Sequence, residues 1–334
     1  MIRSRWFDEI LAEKSRRAMP VLTFPATQLL GITVRELIAS SDAQANGMAA
    51  IARRCPAAAA LSMMDLSVEA ECFGAKIRVS DSEVPTVEHA VLSDPADTAG
   101  LRVPAVGEGR TGVYIEAVAK ARALINDRPV FAGVIGPFSL AGRLMDMTEI
   151  MVDCYDEPEA VHTVLDKATA FLTDYILAFR RAGANGVVMA EPAAGLLSPA
   201  LCGAFSSAYI RRITDAVQRE DFPVIYHNCG PNVGRMTTEL LQTGAAAYHF
   251  GNAANMSEML EKMPPDVPVM GNVDPVSAFR RGTPAFVREE TLRILHACGG
   301  HDNFLISSGC DIPPASPWEN IDAFFAAVDE YYGR

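Results

Sequence analysis

The sequence predicts a (β/α)8 TIM barrel with an excursion between its second and third strands. Three features point there. Eight short apolar runs recur along the 334 residues, and a helical pattern separates nearly every consecutive pair. Polar, chemistry-bearing residues stand where those runs stop, as they do on the active rim of such barrels. The competing open doubly wound sheet lacks its markers: no Gly-x-Gly-x-x-Gly follows the first run, and no Gly-x-x-x-x-Gly-Lys-Ser/Thr occurs anywhere.

Trp6 to Arg17 carries Phe7, Ile10 and Leu11 at helical spacing. Val21-Leu22-Thr23-Phe24 is the first predicted strand, closed by Pro25, and helices follow at 34–38 and 43–53. The alanine-rich run 58–64 is weak by propensity but sits where the second strand is due, ahead of Asp65. The rhythm breaks over 66–112, where Ala75 to Val79 and the segment beyond Glu83 suggest a hairpin inserted in a single domain spanning 1–334. A helix over 113–125 leads to the third strand, Pro129 to Ile135.

Regular alternation then sets in. Pro158 to Arg181 reads as a long amphipathic helix, with Pro in its first turn and Gly183 as its stop. Strands are predicted at 186–190, 224–227, 246–250, 267–271 and 304–307. Helices between and after them are predicted at 198–219, 233–243, 256–263, 284–297 and 318–332.

A 49% hydrophobic content supports one large core, and a formal charge of −12 argues against nucleic acid, which demands clustered Lys and Arg. No run approaches the ~18 apolar residues of a spanning helix, so no membrane is expected. Residues 1–17 are charged throughout, so no secretory leader is expected and the reading is cytoplasmic. Seven cysteines, an odd number, then read as free or metal-bound thiols.

The sharpest chemical signal is His227-x-Cys229, placed at the end of one strand, with Cys310 just past another. Residues i and i+2 of an extended segment share a face, so an imidazole and two thiols can converge. Such a soft set suits Zn2+, and three protein ligands leave a tetrahedral position for substrate. The bland alternative is a chance pair, with the thiols acting as small buried hydrophobes. Cys55, Cys72, Cys154, Cys202 and Cys298 read as structural. Other strand ends carry Asp65, Glu191, His249, Asn272 and Asp274. Asn272 and Asp274 also suit turns and caps, His249 suits a satisfied core histidine, and Glu191 has no turn-forming excuse.

These residues resemble a family. His227-x-Cys229 with Ser308-Gly309-Cys310, the stretch from Asp65 to Gly74, and Gly271-Asn272-Val273-Asp274-Pro275 together are similar to the uroporphyrinogen decarboxylase superfamily. The closer likeness is to its methylcobamide:coenzyme M methyltransferase branch, and it spans nearly the whole chain. The resemblance implies a barrel and a zinc ion held by His227, Cys229 and Cys310. It also implies methyl transfer from a corrinoid to a thiol such as coenzyme M, or to a pterin acceptor such as tetrahydrofolate. Asp65, Glu191, Asn272 and Asp274 would act around substrate and ligands. No Asp-x-His-x-x-Gly segment occurs, so the methylcobamide is expected on a separate corrinoid carrier protein; a homodimer is left open.

Two departures matter. Decarboxylases carry an N-terminal Arg-Gln-Ala-Gly-Arg segment that holds substrate carboxylates; this chain has Ser15-Arg16-Arg17-Ala18-Met19-Pro20 there. Relatives often place an acid after the sixth strand, where this chain reads His249-Phe250-Gly251-Asn252. The readings from other classes are a metal-free decarboxylase and a protein that holds zinc without turnover.

Overall fold

The computed structural model describes residues 4–333. Its centre is a parallel sheet of seven strands in the order β1 (Ala60–Leu61), β4 (Val130–Ile135), β5 (Gly186–Ala190), β6 (Val224–Asn228), β7 (Ala247–Phe250), β8 (Val269–Val273) and β9 (Phe304–Ser308). Strands β2 (Lys76–Arg78) and β3 (Thr86–His89) lie apart from it as a two-stranded antiparallel ribbon. The architecture is mixed α/β and TIM-barrel-like.

The predicted strand at 21–24 does not form. Pro20 and Pro25 bracket it, and a proline has no N–H to offer a ladder. The segment nonetheless fills the space between the two sheet edges. Ala58 N donates to Ala18 O at 2.8 Å on the β1 side, and Met19 N donates to Ile306 O at 3.1 Å on the β9 side. Isolated bonds therefore stand where an eighth strand was expected. β1 itself is only two residues long, in keeping with its alanine-rich run.

The strands explain the two cores. Residues of one parity, Phe131, Val188, Ile225, Ala247, Met270 and Leu305, form an inner cluster that Phe7 and Ile10 of the N-terminal helix Arg5–Ala12 join. Residues of the other parity, such as Val187, Val224, Tyr226, Tyr248 and Phe304, join the larger cluster under the surrounding helices. Burial on both faces is the mark of a parallel sheet. Moving two residues along β6, β7, β8 and β9 from the inner cluster reaches His227, His249, Asn272 and Ser307. By the two-residue period, a polar layer sits directly above the apolar one.

Most predicted helices occur with shifted ends. Pro158–Arg181 and Trp318–Tyr332 match, and the segment after Ser198 runs as Pro199–Cys202, a π-helical Gly203–Ser207 and Ala208–Val217. Two helices between β4 and Pro158 were not anticipated, Pro137–Met145 and Met147–Asp156. Among the described residues no helix is long and apolar enough to cross a membrane.

Candidate metal centre

His227 is the fourth residue of β6, and Asn228 ends the strand. Asn228 Nδ2 donates to the Tyr226 hydroxyl at 2.9 Å, and its Oδ1 accepts from Gly230 N at 2.9 Å, which shapes the turn that carries Cys229. Gly251, past the end of β7, packs against that turn. A Cβ there would lie 2.5 Å from Cys229 Cβ, so no side chain fits without displacing the cysteine. Gly309 N donates to Val273 O at 2.6 Å, setting the backbone just before Cys310.

These turns bring His227, Cys229 and Cys310 together, with one donor atom from each inside a 4.8 Å cluster. The two cysteines are half-buried and His227 is buried. The two thiols hydrogen-bond each other. A hydrogen bond from Cys310 holds Cys229 well below the ordinary thiol range, and the same bond, with burial, pushes Cys310 up. His227 Nδ1 lies 2.7 Å from His249 Nδ1, whereas His227 Nε2 is buried with no hydrogen-bond partner. A buried polar atom is normally satisfied. A bare imidazole nitrogen beside a thiolate-prone sulfur pair is a donor set that fits zinc.

The other predicted site residues have partners of their own. Asp65 is buried and takes a salt bridge from Arg110, a 2.8 Å bond from the Tyr114 hydroxyl and a 3.0 Å bond from Ser67 N. Arg110 also pairs with Glu71 at 2.5 Å. Glu191 is fully buried. Its Oε1 accepts from Phe138 N at 2.8 Å and Ser206 Oγ at 3.0 Å, and its Oε2 accepts from Ser139 N at 2.9 Å, so it ties down the start of the unanticipated helix Pro137–Met145. Asn272 Nδ2 donates to Gly251 O at 2.9 Å and to Ala254 O at 2.7 Å, holding the loop that packs on Cys229. Asp274 caps the following segment through Val276 N at 2.7 Å and Ser277 N at 2.9 Å. These bonds are those of turns and caps.

Two residues do more than the sequence reading gave them. His249, expected as a satisfied core histidine, is one. It pairs in register with His227 across β6 and β7, a relation that only strand alignment reveals. Glu69 is the other. Its Oε1 accepts from Ile135 N at 3.0 Å, its Oε2 is buried without a partner, and burial pushes it up to about 7 from 4.5. Its folded value is raised, so the stability it contributes is full below pH 4.5 and is lost as pH rises through about 7. Glu69→Gln keeps an acceptor for Ile135 and removes the charge. Urea midpoints of the metal-free variant should exceed wild type at pH 8, by up to roughly 3 kcal/mol, and match it at pH 4.

A cavity of about 530 Å³ adjoins Cys310. Met64, Leu66 and Pro313 give it apolar walls, and Arg143, Arg280 and Asp311 add charge or polarity. Arg143 donates to Ser139 O at 3.2 Å. Burial pushes Asp311 well above the usual carboxylate range, although Thr23 Oγ1 donates to it at 2.8 Å.

The family model for uroporphyrinogen decarboxylase matches residues 8–331. The chain belongs to the uroporphyrinogen decarboxylase family. Within it, the chain is 29% identical over 288 residues to a uroporphyrinogen decarboxylase of Pseudomonas putida, covering 83% of this chain and 80% of that one. It is 30% identical over 283 residues to one of Pseudomonas paraeruginosa, covering 81% and 78%. In three dimensions it resembles a methyltransferase from Methanosarcina mazei with a TM-score of 0.85 at 24% identity, covering 97% of this chain and 98% of that one. A B12-independent methionine synthase from Shewanella sp. superposes with a TM-score of 0.61 at 13% identity, covering 95% and 97%. At these identities the two solved structures speak for the fold this family member shares with them.

Proposed function

We propose that this chain is a zinc-dependent methyltransferase that moves a methyl group from a methyl-corrinoid protein to a thiol such as coenzyme M. The observation that carries the reading is the partnerless, buried His227 Nε2 beside Cys229 and Cys310. Those three residues would hold the zinc. Bound there, zinc would act as a Lewis acid, lowering the pKa of an acceptor thiol from near 8.5 so that it is a nucleophile at neutral pH.

The chain's own residues do the rest. The hydrogen bond from Cys310 holds Cys229 well below the ordinary thiol range, which favours the thiolate a cation needs. The cavity beside Cys310 gives a small acceptor an apolar wall at Met64 and Leu66, with cationic groups at Arg143 and Arg280. Asn272 keeps the loop against Cys229, and with it the spacing of the donors. The methylcobamide would come on a separate carrier protein.

A metal-free decarboxylase is the second reading, favoured by the names of the curated relatives. It needs cations for substrate carboxylates. The N-terminal Arg16 is engaged at the opposite end of β9 from Cys310, bonding His301 O at 2.7 Å and Phe304 O at 3.3 Å, and Arg17 pairs with Glu13 at 3.0 Å. Neither points to a role at the cavity.

The deciding experiment gives zinc-loaded protein methylcobalamin with a panel of thiols, coenzyme M included, and tetrahydrofolate, following loss of the methyl–cobalt absorbance. Turnover with a thiol is expected. Inert methylcobalamin together with decarboxylation of uroporphyrinogen would replace this reading with the second.

A further inference from the structure

An imidazole has two nitrogens, and a metal ligand must keep a lone pair on the right one. We infer that His249 and Ser307 form a relay, anchored on the Met19 carbonyl, that fixes the tautomer of His227 and turns its Nε2 lone pair toward the cation. The inference rests on the metal reading above.

The direction of every bond follows from one fixed point. A backbone carbonyl can only accept. The Ser307 hydroxyl, 2.6 Å from Met19 O, therefore donates its hydrogen there. Its oxygen is left to accept from His249 Nε2–H, 2.7 Å away. His249 is 1% exposed, where a neutral ring is favoured. A neutral ring with its hydrogen on Nε2 carries its lone pair on Nδ1. That lone pair faces His227 Nδ1 at 2.7 Å, so His227 holds its hydrogen on Nδ1. His227 Nε2 is then bare, and it is the atom that lacks a protein partner.

The relay spans four separate parts of the chain. β6 supplies the ligand, β7 and β9 supply the two links, and the segment that fills the gap between β1 and β9 supplies the anchor. His249 is thus a positioning residue, acting on the metal through His227.

Two measurements test this. In the metal-free protein with 15N-labelled histidines, long-range couplings should show His227 with its hydrogen on Nδ1. Zinc affinity, measured by competition with a chelator, should fall roughly 10–100-fold in His249→Phe. His249→Asn, whose amide oxygen can take the place of Nδ1, should recover most of that loss. Ser307→Ala should weaken zinc less than His249→Phe and mix the tautomers of His227. Wild-type affinity in His249→Phe, or a hydrogen on His227 Nε2 in the wild-type chain, overturns the inference. If His249→Phe fails to fold by circular dichroism, Ser307→Ala and the wild-type tautomer decide the matter. A chain that shows the Nδ1–H tautomer and yet binds no zinc would sink the metal reading and leave the relay standing.

Discussion

Cys310→Ser should release the zinc and abolish methyl transfer while the sheet stays folded. Zinc sites with a full ligand set gain roughly 10–16 kcal/mol on binding, so one thiolate among three protein ligands is worth roughly 3 kcal/mol or more, on the order of a hundredfold in affinity. Cys310 is only half-buried and follows β9 instead of lying within it. Its loss from the metal-free protein should therefore shift the unfolding midpoint by less than about 1 kcal/mol. The check is paired: zinc content after dialysis, and thiol-dependent demethylation of methylcobalamin. A Cys310→Ser protein that retains one zinc per chain would remove Cys310 from the ligand set.

The second large effect concerns stability. Asp65→Ala should destabilise the fold by about 2–3 kcal/mol, because Arg110 is left with Glu71 as its one carboxylate partner and the buried Tyr114 hydroxyl loses its acceptor. The Asp65 side chain is 0% exposed and Arg110 15%, so water cannot replace the lost partner well. Tyr114 would lose a bond too, worth about 1 kcal/mol on its own, and Tyr114→Phe gives that smaller figure for comparison. Urea unfolding of both variants separates the contributions. An Asp65→Ala chain as stable as wild type but without turnover would move Asp65 from the scaffold to the chemistry.

How far the sequence carried depended on what kind of interaction made each feature. β4 to β9 were legible because a buried parallel strand is a compact apolar run with a stop after it. The convergence of His227, Cys229 and Cys310 was legible because the first two are two apart and Cys310 stands past a matching strand end. The first strand was misread because Val21 to Phe24 has strand composition, while the prolines on either side deny it a ladder. Pro137–Met145 had signals, a proline start and an apolar series at Phe138, Leu140, Ala141 and Leu144, but the segment was passed over. The work of Glu191 left no trace at all. Two of its partners are the backbone N–H groups of Phe138 and Ser139, over fifty residues away, and any residue but proline offers those. His249 needed the register between β6 and β7, which composition does not encode.

The segment between the two sheet edges also sets an order of events during synthesis. Met19 and Val21 find their partners at Ile306, Ser308 and Ile312, nearly three hundred residues later. Contacts of such separation form late, since a long loop must close before they contribute. On the ribosome, the bonds of this stretch on the β9 side must wait while β1 and β4 to β8 emerge and pair with one another. Cys310 and Ser307, the partner of the Met19 anchor, then arrive together, after the other strands. A nascent chain that stalls before that point has a nearly complete sheet and no place for a cation.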